Sequence, residues 1–460
     1  MSAIFKKTIL KLGRVFLKSK TYTLTIISKI LRKKTKAGIE NQAFLNNVDR
    51  IIENIDESNG SEFYSSTKKV DVAIITDEFM YNYYDAALSL HFITYGNYKE
   101  ILKNKKIKHL FFISCWKGID GKSWKGITSS SVQNKVAEIF SYARKNNIKV
   151  IFQTIEDPSN YDVFIPIAKH ADYVFTTAVE KIESYKKDVG HNNVYLLDYG
   201  VNPLFHNPIN FMKKRTANLY KNHVFFAGSW APRYKERSND TKMLFDGVLN
   251  NNSKLIIADR NYYIFGYDFP LRYQKHIVPA FEHSKLQKVH KLFDWTLNLN
   301  SIKYSPTMCA MRVYELQAIG TLLISNYSAA VYNQFPNIPI IVDNTEISSV
   351  LNSHDDYQVF KNQINNIRNV MSHHTVFDKV KYIFSKTSTK FEIEDKPVLV
   401  ICSEINSQIT ESFNIQRYDQ KKLVTIDQLN HIKSDDYSYV TFFNENYNYG
   451  RYYLEDMVNA

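Results

Sequence analysis

Short, continuous apolar runs recur along most of this chain, and each is stopped by a turn-forming or charged residue. Val70–Ile75 reads Val-Asp-Val-Ala-Ile-Ile and runs into Asp77 and Glu78. His109–Ser114, Lys149–Gln153, Tyr173–Thr176 and Asn193–Leu197 repeat the pattern. Apolar runs of roughly four to eight residues without alternation are the mark of strands covered on both faces. Amphipathic stretches lie between them, such as Gln133–Asn146, where Val136, Ile139 and Tyr142 share one helical face. That order predicts an open parallel sheet with helices on both faces. A loop punctuated by Gly200, Pro203 and Pro208 follows. A second series then begins, with His223–Ala227, Lys254–Ala258, Trp295–Leu299, Thr321–Ser325 and Ile338–Val342.

Residues 355–387 are predicted helical and close this second half. No short-period repeat is present, so the two α/β halves are the internal symmetry. Lys396–Cys402 and Tyr439–Phe443 start another strand series, and Tyr452–Ala460 reads as a helix. The 460 residues suffice for two or three domains. The expected division is a basic segment over 1–39, a Rossmann-like domain over 40–210, a second over 211–390 and a small α/β extension over 391–460. Within 40–68 a short helix and a linker are expected, with a break at Ser58–Ser61.

The net charge of +13 is unevenly placed. Residues 1–39 hold eleven Lys/Arg and no Asp or Glu, whereas the remainder holds 48 basic and 46 acidic side chains. The basicity therefore belongs to an arm and not to a nucleic-acid-binding face of the core. Phe5, Ile9, Leu12 and Phe16 alternate there with Lys6, Lys7, Lys11, Arg14 and Lys18, the pattern of an amphipathic basic helix. Its two readings are attachment to an anionic membrane surface and packing on the body of the protein. The run Tyr22–Leu31 is too short to span a bilayer, and no signal-peptide pattern is present. Cys115, Cys309 and Cys402 lie far apart, which fits a reducing, cytoplasmic setting and neither a disulfide framework nor a zinc site.

Candidate site residues stand where strands end, because ligands bind at the carboxyl edge of open parallel sheets. Asp77, Glu78 and Trp116 follow strands of the first half and are candidates for ligand binding. Glu156 and Asp157 follow another, as paired acids for base or hydroxyl-binding work; the alternative is a helix cap with Pro158 in its first turn. The Trp116–Trp124 loop is a sugar-stacking surface or a pair of packed indoles. In the second half Gly228 and Ser229 end a strand, where a glycine lets backbone amides approach a phosphate. Lys235 and Arg237 follow, as cations for a leaving diphosphate. Asp259 and Arg260 end the next strand and are either site residues or a salt-bridged turn.

The stretch Leu299–Asn326 carries the densest signal. It predicts a strand end, a polar loop with Ser305, Pro306, Thr307 and Met308, and a helix with Arg312 and Glu315. Gly320 ends that helix in the left-handed conformation. Arg312 and Glu315 stand at i, i+3, so a local ion pair is one reading; a carboxylate gripping vicinal hydroxyls is the other. His91, His170 and His290 are scattered and propose no metal site. P-loop, dinucleotide-binding and nucleophile-elbow patterns are missing.

Four segments in order carry a family resemblance: Glu156–Phe164 with His170–Thr177, Tyr199–Pro203 with Asn207–Pro208, Phe226–Ser229, and Asn300–Gly320. Over about residues 70–390 the chain resembles the CgeB-like glycosyltransferases of the GT-B, group-1 superfamily. The resemblance implies two Rossmann-like, doubly wound domains facing a cleft, the first for the acceptor, with Asp77, Glu78 and Trp116 as its acceptor residues, and the second for a nucleotide-sugar. It implies hexosyl transfer without a bound metal or cofactor, from a donor expected to be UDP-linked. By position it gives Glu315 the ribose, Gly228 and Ser229 the diphosphate, and Ser305–Met308 the donor sugar. Many group-1 members carry an earlier glutamate eight positions before the later one, and here Thr307 stands in its place. That departure leaves retention or inversion open.

With the basic arm, the expectation is a transferase acting at the inner membrane face on a cell-envelope acceptor, such as teichoic acid or another surface glycan. The alternative is a non-catalytic nucleotide- or sugar-binding scaffold on the same fold. Nucleic-acid binding is not expected. Residues 394–460 resemble the opening of a GT-A domain with Phe443–Tyr447 near its metal motif, and no activity is assigned to them.

Overall fold

The computed structural model describes residues 36–57, 69–210, 220–264, 266–353, 355–391 and 396–459. The basic helix expected within 1–39 lies outside the described residues, as does the break at Ser58–Ser61. The last positions of the basic segment enter a helix at Lys36–Ile52.

The first sheet holds β1 (Val70–Ile75), β2 (Leu88–Phe92), β3 (His109–Ile113), β4 (Lys149–Thr154), β5 (Tyr173–Thr176) and β6 (Val194–Leu196). Its order is β2-β1-β3-β4-β5-β6, and every pairing is parallel. All five residues of β3 are buried, as a continuous apolar run requires. Phe112, Phe140, Phe152, Phe164 and Tyr185 fill one core on this sheet.

The second sheet holds β7 (His223–Gly228), β8 (Lys254–Asp259), β9 (Ile277–Pro279), β10 (Trp295–Asn298), β11 (Leu322–Asn326) and β12 (Ile340–Ile341). It is also wholly parallel, in the order β12-β11-β10-β7-β8-β9. Numbered from β7, this is the 3-2-1-4-5-6 order of a dinucleotide-type Rossmann sheet, while the first sheet follows the 2-1-3-4-5 order of its flavodoxin-type relative. The expected α/β class and the two Rossmann-like, doubly wound domains are therefore both present. A third, parallel sheet holds β13 (Val398–Cys402), β14 (Lys421–Thr425) and β15 (Tyr439–Phe442), with β13 central.

The chain forms two compact units, each discontinuous in sequence. One takes in the chain up to Asp56, Asn210–Lys303 and Ile319–Phe360; the other takes in Glu57–Ile209, Tyr304–Ala318 and Lys361–Ala460. The helix Lys36–Ile52 belongs with the second sheet, although it precedes the first in sequence. Its Val48 and Ile52, with Ile55 just beyond, pack with Phe225, Ala258, Val278 and Phe293. Each such buried side chain contributes roughly 1.5–3 kcal/mol.

The helix bearing Glu315 runs Arg312–Ala318, and Gly320 follows at φ +77°, the left-handed stop read from the sequence. The C-terminal sheet is tied to the helix Asp356–His373 by Arg368, which grips both oxygens of Asp456 at 2.6 and 2.7 Å. Among the described residues no helix is long and apolar enough to cross a membrane.

Strands β2, β9 and β14 carry no strong sequence signal. Each lies at an open sheet edge, where polar residues such as Ser89, His91 and Lys421 replace the apolar run.

Gly247 lies inside the helix Lys235–Asn250, where a Cβ would meet the Asn344 carbonyl oxygen and Ile347 Cδ1 at 2.6 Å each. Alanine normally gains about 1 kcal/mol over glycine in a helix. Here the sign should reverse: Gly247→Ala should destabilise by roughly 1–3 kcal/mol through overpacking. Urea melts of the two proteins check this, and a stabilised variant would contradict it.

Candidate functional site

The carboxyl edge of the second sheet has its switch point between β7 and β10, which run side by side and from which the chain winds off in opposite directions. β7 ends at Gly228, where a Cβ would fall 2.6 Å from the Phe226 ring, so a side chain is excluded by packing. Ser229 comes next, and two guanidinium groups meet it. Arg237 Nη1 donates to the Ser229 carbonyl and Arg260 Nη2 to the Ser229 hydroxyl, each at 3.4 Å. The Arg260 amide donates to the Gly228 carbonyl at 2.8 Å, which fixes the start of the Arg260 side chain.

Neither arginine makes an ion pair with a carboxylate among the described residues. Arg237 Nε is buried and has no hydrogen-bond partner there. Burial, and then the like charge of Arg260, holds the Arg237 guanidinium below its usual range. Two cations held beside one turn without an anion form a ready receptor for a diphosphate. Lys235 is exposed and not part of this pair. Asp259 is buried and its Oδ1 accepts from the Asn261 amide at 2.9 Å, as a turn cap does.

Across the switch point a polar network lines the ends of β10 and β11. Asn298 and Asn300 each donate to Ser325 Oγ at 3.0 Å, and the Asn300 amide donates to Asn326 Oδ1 at 2.7 Å. Asn326 donates to Asp240 Oδ2 at 2.8 Å, and Lys303 Nζ lies 2.7 Å from the same oxygen. Asn298 Oδ1 is buried without a partner among the described residues. The site roles of Asp240 and Lys303 were not legible in the sequence; the signal was the alternate asparagines that end an otherwise apolar strand.

The carboxyl edge of the first sheet brings Asp77, Trp116 and Glu156 together from adjacent strands. Asp77 accepts from the amides of Trp116, Lys117 and Gly118 at 2.8, 3.0 and 2.7 Å. Through these bonds it anchors the loop after β3. Glu78 is exposed in the first turn of the following helix and joins no cluster. The Trp116 indole donates to Glu156 Oε1 at 3.1 Å, and Asn160 donates to Oε2 at 2.7 Å. Two neutral donors thus orient the Glu156 carboxylate and leave acceptor capacity on both oxygens. Trp116 stays 40% exposed, its ring edge-on to Phe164. Trp124, in contrast, is buried and donates to the Ile93 carbonyl, so the packed reading holds for that indole.

Asp157 has no exposure. Thr176 and Tyr185 donate to it at 2.6 and 3.3 Å, and burial pushes its carboxyl up to about 6 against the pull of these bonds. Of the two neighbouring acids, Glu156 is the one whose carboxylate is not buried.

The loop of Ser305, Pro306, Thr307 and Met308 is pinned to the end of β5. Ser305 Oγ donates to Glu180 at 3.1 Å and accepts from the Met308 amide at 3.1 Å. Thr307 Oγ1 donates to the Thr177 carbonyl at 2.8 Å and accepts from the Val179 amide at 3.0 Å. The Thr307 hydroxyl thus clips the loop in place.

Glu315 lies in the same unit, its side chain 15% exposed and Oε1 3.8 Å from His206 Nε2. That oxygen has no hydrogen-bond partner among the described residues. The charge of Arg312 acts on the Glu315 carboxylate and favours its ionised form. Burial pushes the Glu315 carboxyl from 4.5 up to about 7, against the favourable charge of Arg312. Among the described residues no group of three or more His, Cys, Asp or Glu side chains is placed to hold a metal.

No protein-family model matches the chain, and no curated protein does. Among solved structures it is similar to HepE from Anabaena in complex with UDP, at 10% identity and TM-score 0.46, over 70% of this chain and 100% of that one. An α-glucosyltransferase in complex with UDP and a 13-mer DNA shares 12% identity at TM-score 0.48, over 70% and 100%. Sucrose-phosphate synthase from Thermosynechococcus elongatus shares 11% at 0.44, over 70% and 98%.

The Glu315 shift predicts a pH dependence. Between about pH 4.5 and 7 the folded chain holds a proton that the unfolded chain has lost, so stability falls as pH rises through that window and then levels. Glu315→Gln should remove this slope and be the more stable protein at pH 8, by up to about 3 kcal/mol at 1.4 kcal/mol per pKa unit. Denaturant melts at pH 5 and pH 8 check this; a variant equally destabilised at both would contradict it.

Proposed function

We propose that this chain is a glycosyltransferase that moves a sugar from a nucleoside-diphosphate donor, UDP-linked, onto an acceptor hydroxyl. The observation that carries the reading is the unpaired Arg237–Arg260 couple at the switch point of a 3-2-1-4-5-6 sheet. Such a couple offsets the charge that gathers on a diphosphate as it leaves. In the reaction the acceptor oxygen bonds to the anomeric carbon, the bond from that carbon to the diphosphate breaks, and the acceptor proton passes to Glu156. The family resemblance gives Glu315 the ribose hydroxyls and Ser305–Met308 the donor sugar; the buried, unpartnered Glu315 oxygen supports the first of these.

Within that class we read the chain as CgeB-like and place its acceptor in the cell envelope, as a teichoic acid or another surface glycan. The charge of residues 1–39 supports this finer reading, with the protein cytoplasmic and peripheral on the inner membrane face. One observation favours a second reading, a nucleotide-binding scaffold without turnover: Thr307, in the place of a carboxylate, is engaged at both its donor and acceptor sites. A panel of nucleotide-sugars screened by thermal shift, followed by acceptor-dependent nucleotide release, separates the two. Binding with acceptor-dependent release supports the enzyme, and binding without release supports the scaffold.

Arg237→Ala and Arg260→Ala should each weaken UDP binding by roughly tenfold to a hundredfold, the loss of charge-assisted hydrogen bonds. Lys235→Ala should leave it unchanged, as titration calorimetry would read. Glu156→Gln should bind donor normally and lose roughly a hundredfold or more in turnover, the usual contribution of a positioned base. A Glu156→Gln enzyme of normal kcat would remove Glu156 from that role.

A further inference from the structure

The amino edge of the second sheet, at the opposite ends of the strands from Gly228 and Arg260, holds a cavity of about 640 Å³. That is the size of a small-molecule site. His223 and Lys254 open β7 and β8 and are register partners there, and Lys275 and His276 immediately precede β9. Four basic side chains from the starts of three neighbouring strands thus line one space. Glu40 is the one carboxylate on its lining.

The facing wall is the helix Lys36–Ile52, and it is fastened to the sheet. Asn41 donates to the carbonyls of Lys275 and Ile277 at 3.1 Å each, and Asn47 donates to the Tyr220 hydroxyl at 3.0 Å. Phe44 and Tyr220 meet edge to face on this wall. The cavity is therefore framed by fixed groups and not by a loose surface.

Two ring nitrogens on its lining, His223 Nδ1 and His276 Nε2, are buried and have no partner among the described residues. Burial, with Lys254 nearby, pushes the His223 imidazole down to about 4, and burial with Lys275 lowers that of His276. Both rings are thus neutral at neutral pH. A ligand that fits brings negative charge for the lysines and a hydroxyl for His276. A buried nitrogen left unpaired carries a desolvation penalty, and a ligand hydroxyl on His276 relieves it.

We propose that this cavity binds a phosphorylated polyol, with its phosphate on Lys254 and Lys275 and a hydroxyl on His276. The six-residue strands place it on the order of 16 Å from the Gly228 end, at about 3.3 Å per residue, so it is separate from the diphosphate site. The same chemistry comes as a soluble polyol phosphate or as the headgroup of a phosphoinositide lipid.

The test uses the full-length protein with UDP present throughout. One arm titrates glycerol 3-phosphate; the other compares phosphatidylcholine vesicles doped with phosphatidylinositol 4-phosphate against vesicles of equal charge doped with phosphatidylserine. Lys254→Ala/Lys275→Ala changes exposed side chains, and unaltered UDP affinity reports that the fold is kept. The double variant should lose about tenfold or more of glycerol 3-phosphate affinity if the source is soluble. If the source is lipid, it should lose the preference for phosphoinositide vesicles. His276→Leu should weaken the same interaction, by the loss of the hydroxyl contact. No binding of either probe by the wild type, or equal binding by wild type and double variant in both arms, would overturn the proposal.

Discussion

Parallel pairing is the constraint on which the rest depends. Every strand of both large sheets pairs parallel, so all carboxyl ends of a sheet fall on one edge and all amino ends on the other. Helices cover both faces, which leaves strand interiors no place for charge. Polar chemistry is therefore driven to strand ends. The carboxylates, guanidiniums and asparagines that matter lie within a few residues of where β1, β4, β7, β8 and β10 stop, and the basic cavity lies where β7, β8 and β9 begin.

Burial with and without partners separates groups that build the edges from groups that await a ligand. Asp77, Asp157 and Thr307 sit at strand ends or site loops, yet each is satisfied by protein donors or acceptors. Arg237 Nε, Asn298 Oδ1 and Glu315 Oε1 are buried and unsatisfied among the described residues. Each costs roughly 1–3 kcal/mol in that state, and folded proteins leave few such atoms without a reason. The complement of Arg237 Nε is an anionic oxygen, that of Asn298 Oδ1 a donor, and that of Glu315 Oε1 a hydroxyl.

The fold class was legible because two-sided strands leave an unmistakable apolar run, as in His109–Ile113 or Lys254–Asp259. Edge strands β2, β9 and β14 were not, since solvent on one side lets polar residues in. Strand order and the partner of the helix Lys36–Ile52 were also hidden; both depend on contacts between segments far apart in sequence. At the site, position at a strand end was readable for Glu156, Gly228 and Arg260, and a place on a helix for Glu315. What each side chain touches was not. Asp77 and Glu156 look alike in sequence, and only the three amides on Asp77 tell the anchor from the candidate base. Asp240 and Lys303 were missed because helix and loop residues carry no periodic signal for a sheet edge.

On the proposed reading, the second sheet receives a diphosphate through two guanidinium groups that pair with no carboxylate among the described residues. Calorimetric affinities for uridine, UMP and UDP, each measured at low and high salt, test it most directly. The account predicts a steep rise from uridine to UDP, and a UDP affinity that falls as salt screens the contact. Equal affinity for the three, or a UDP affinity indifferent to salt, would contradict it.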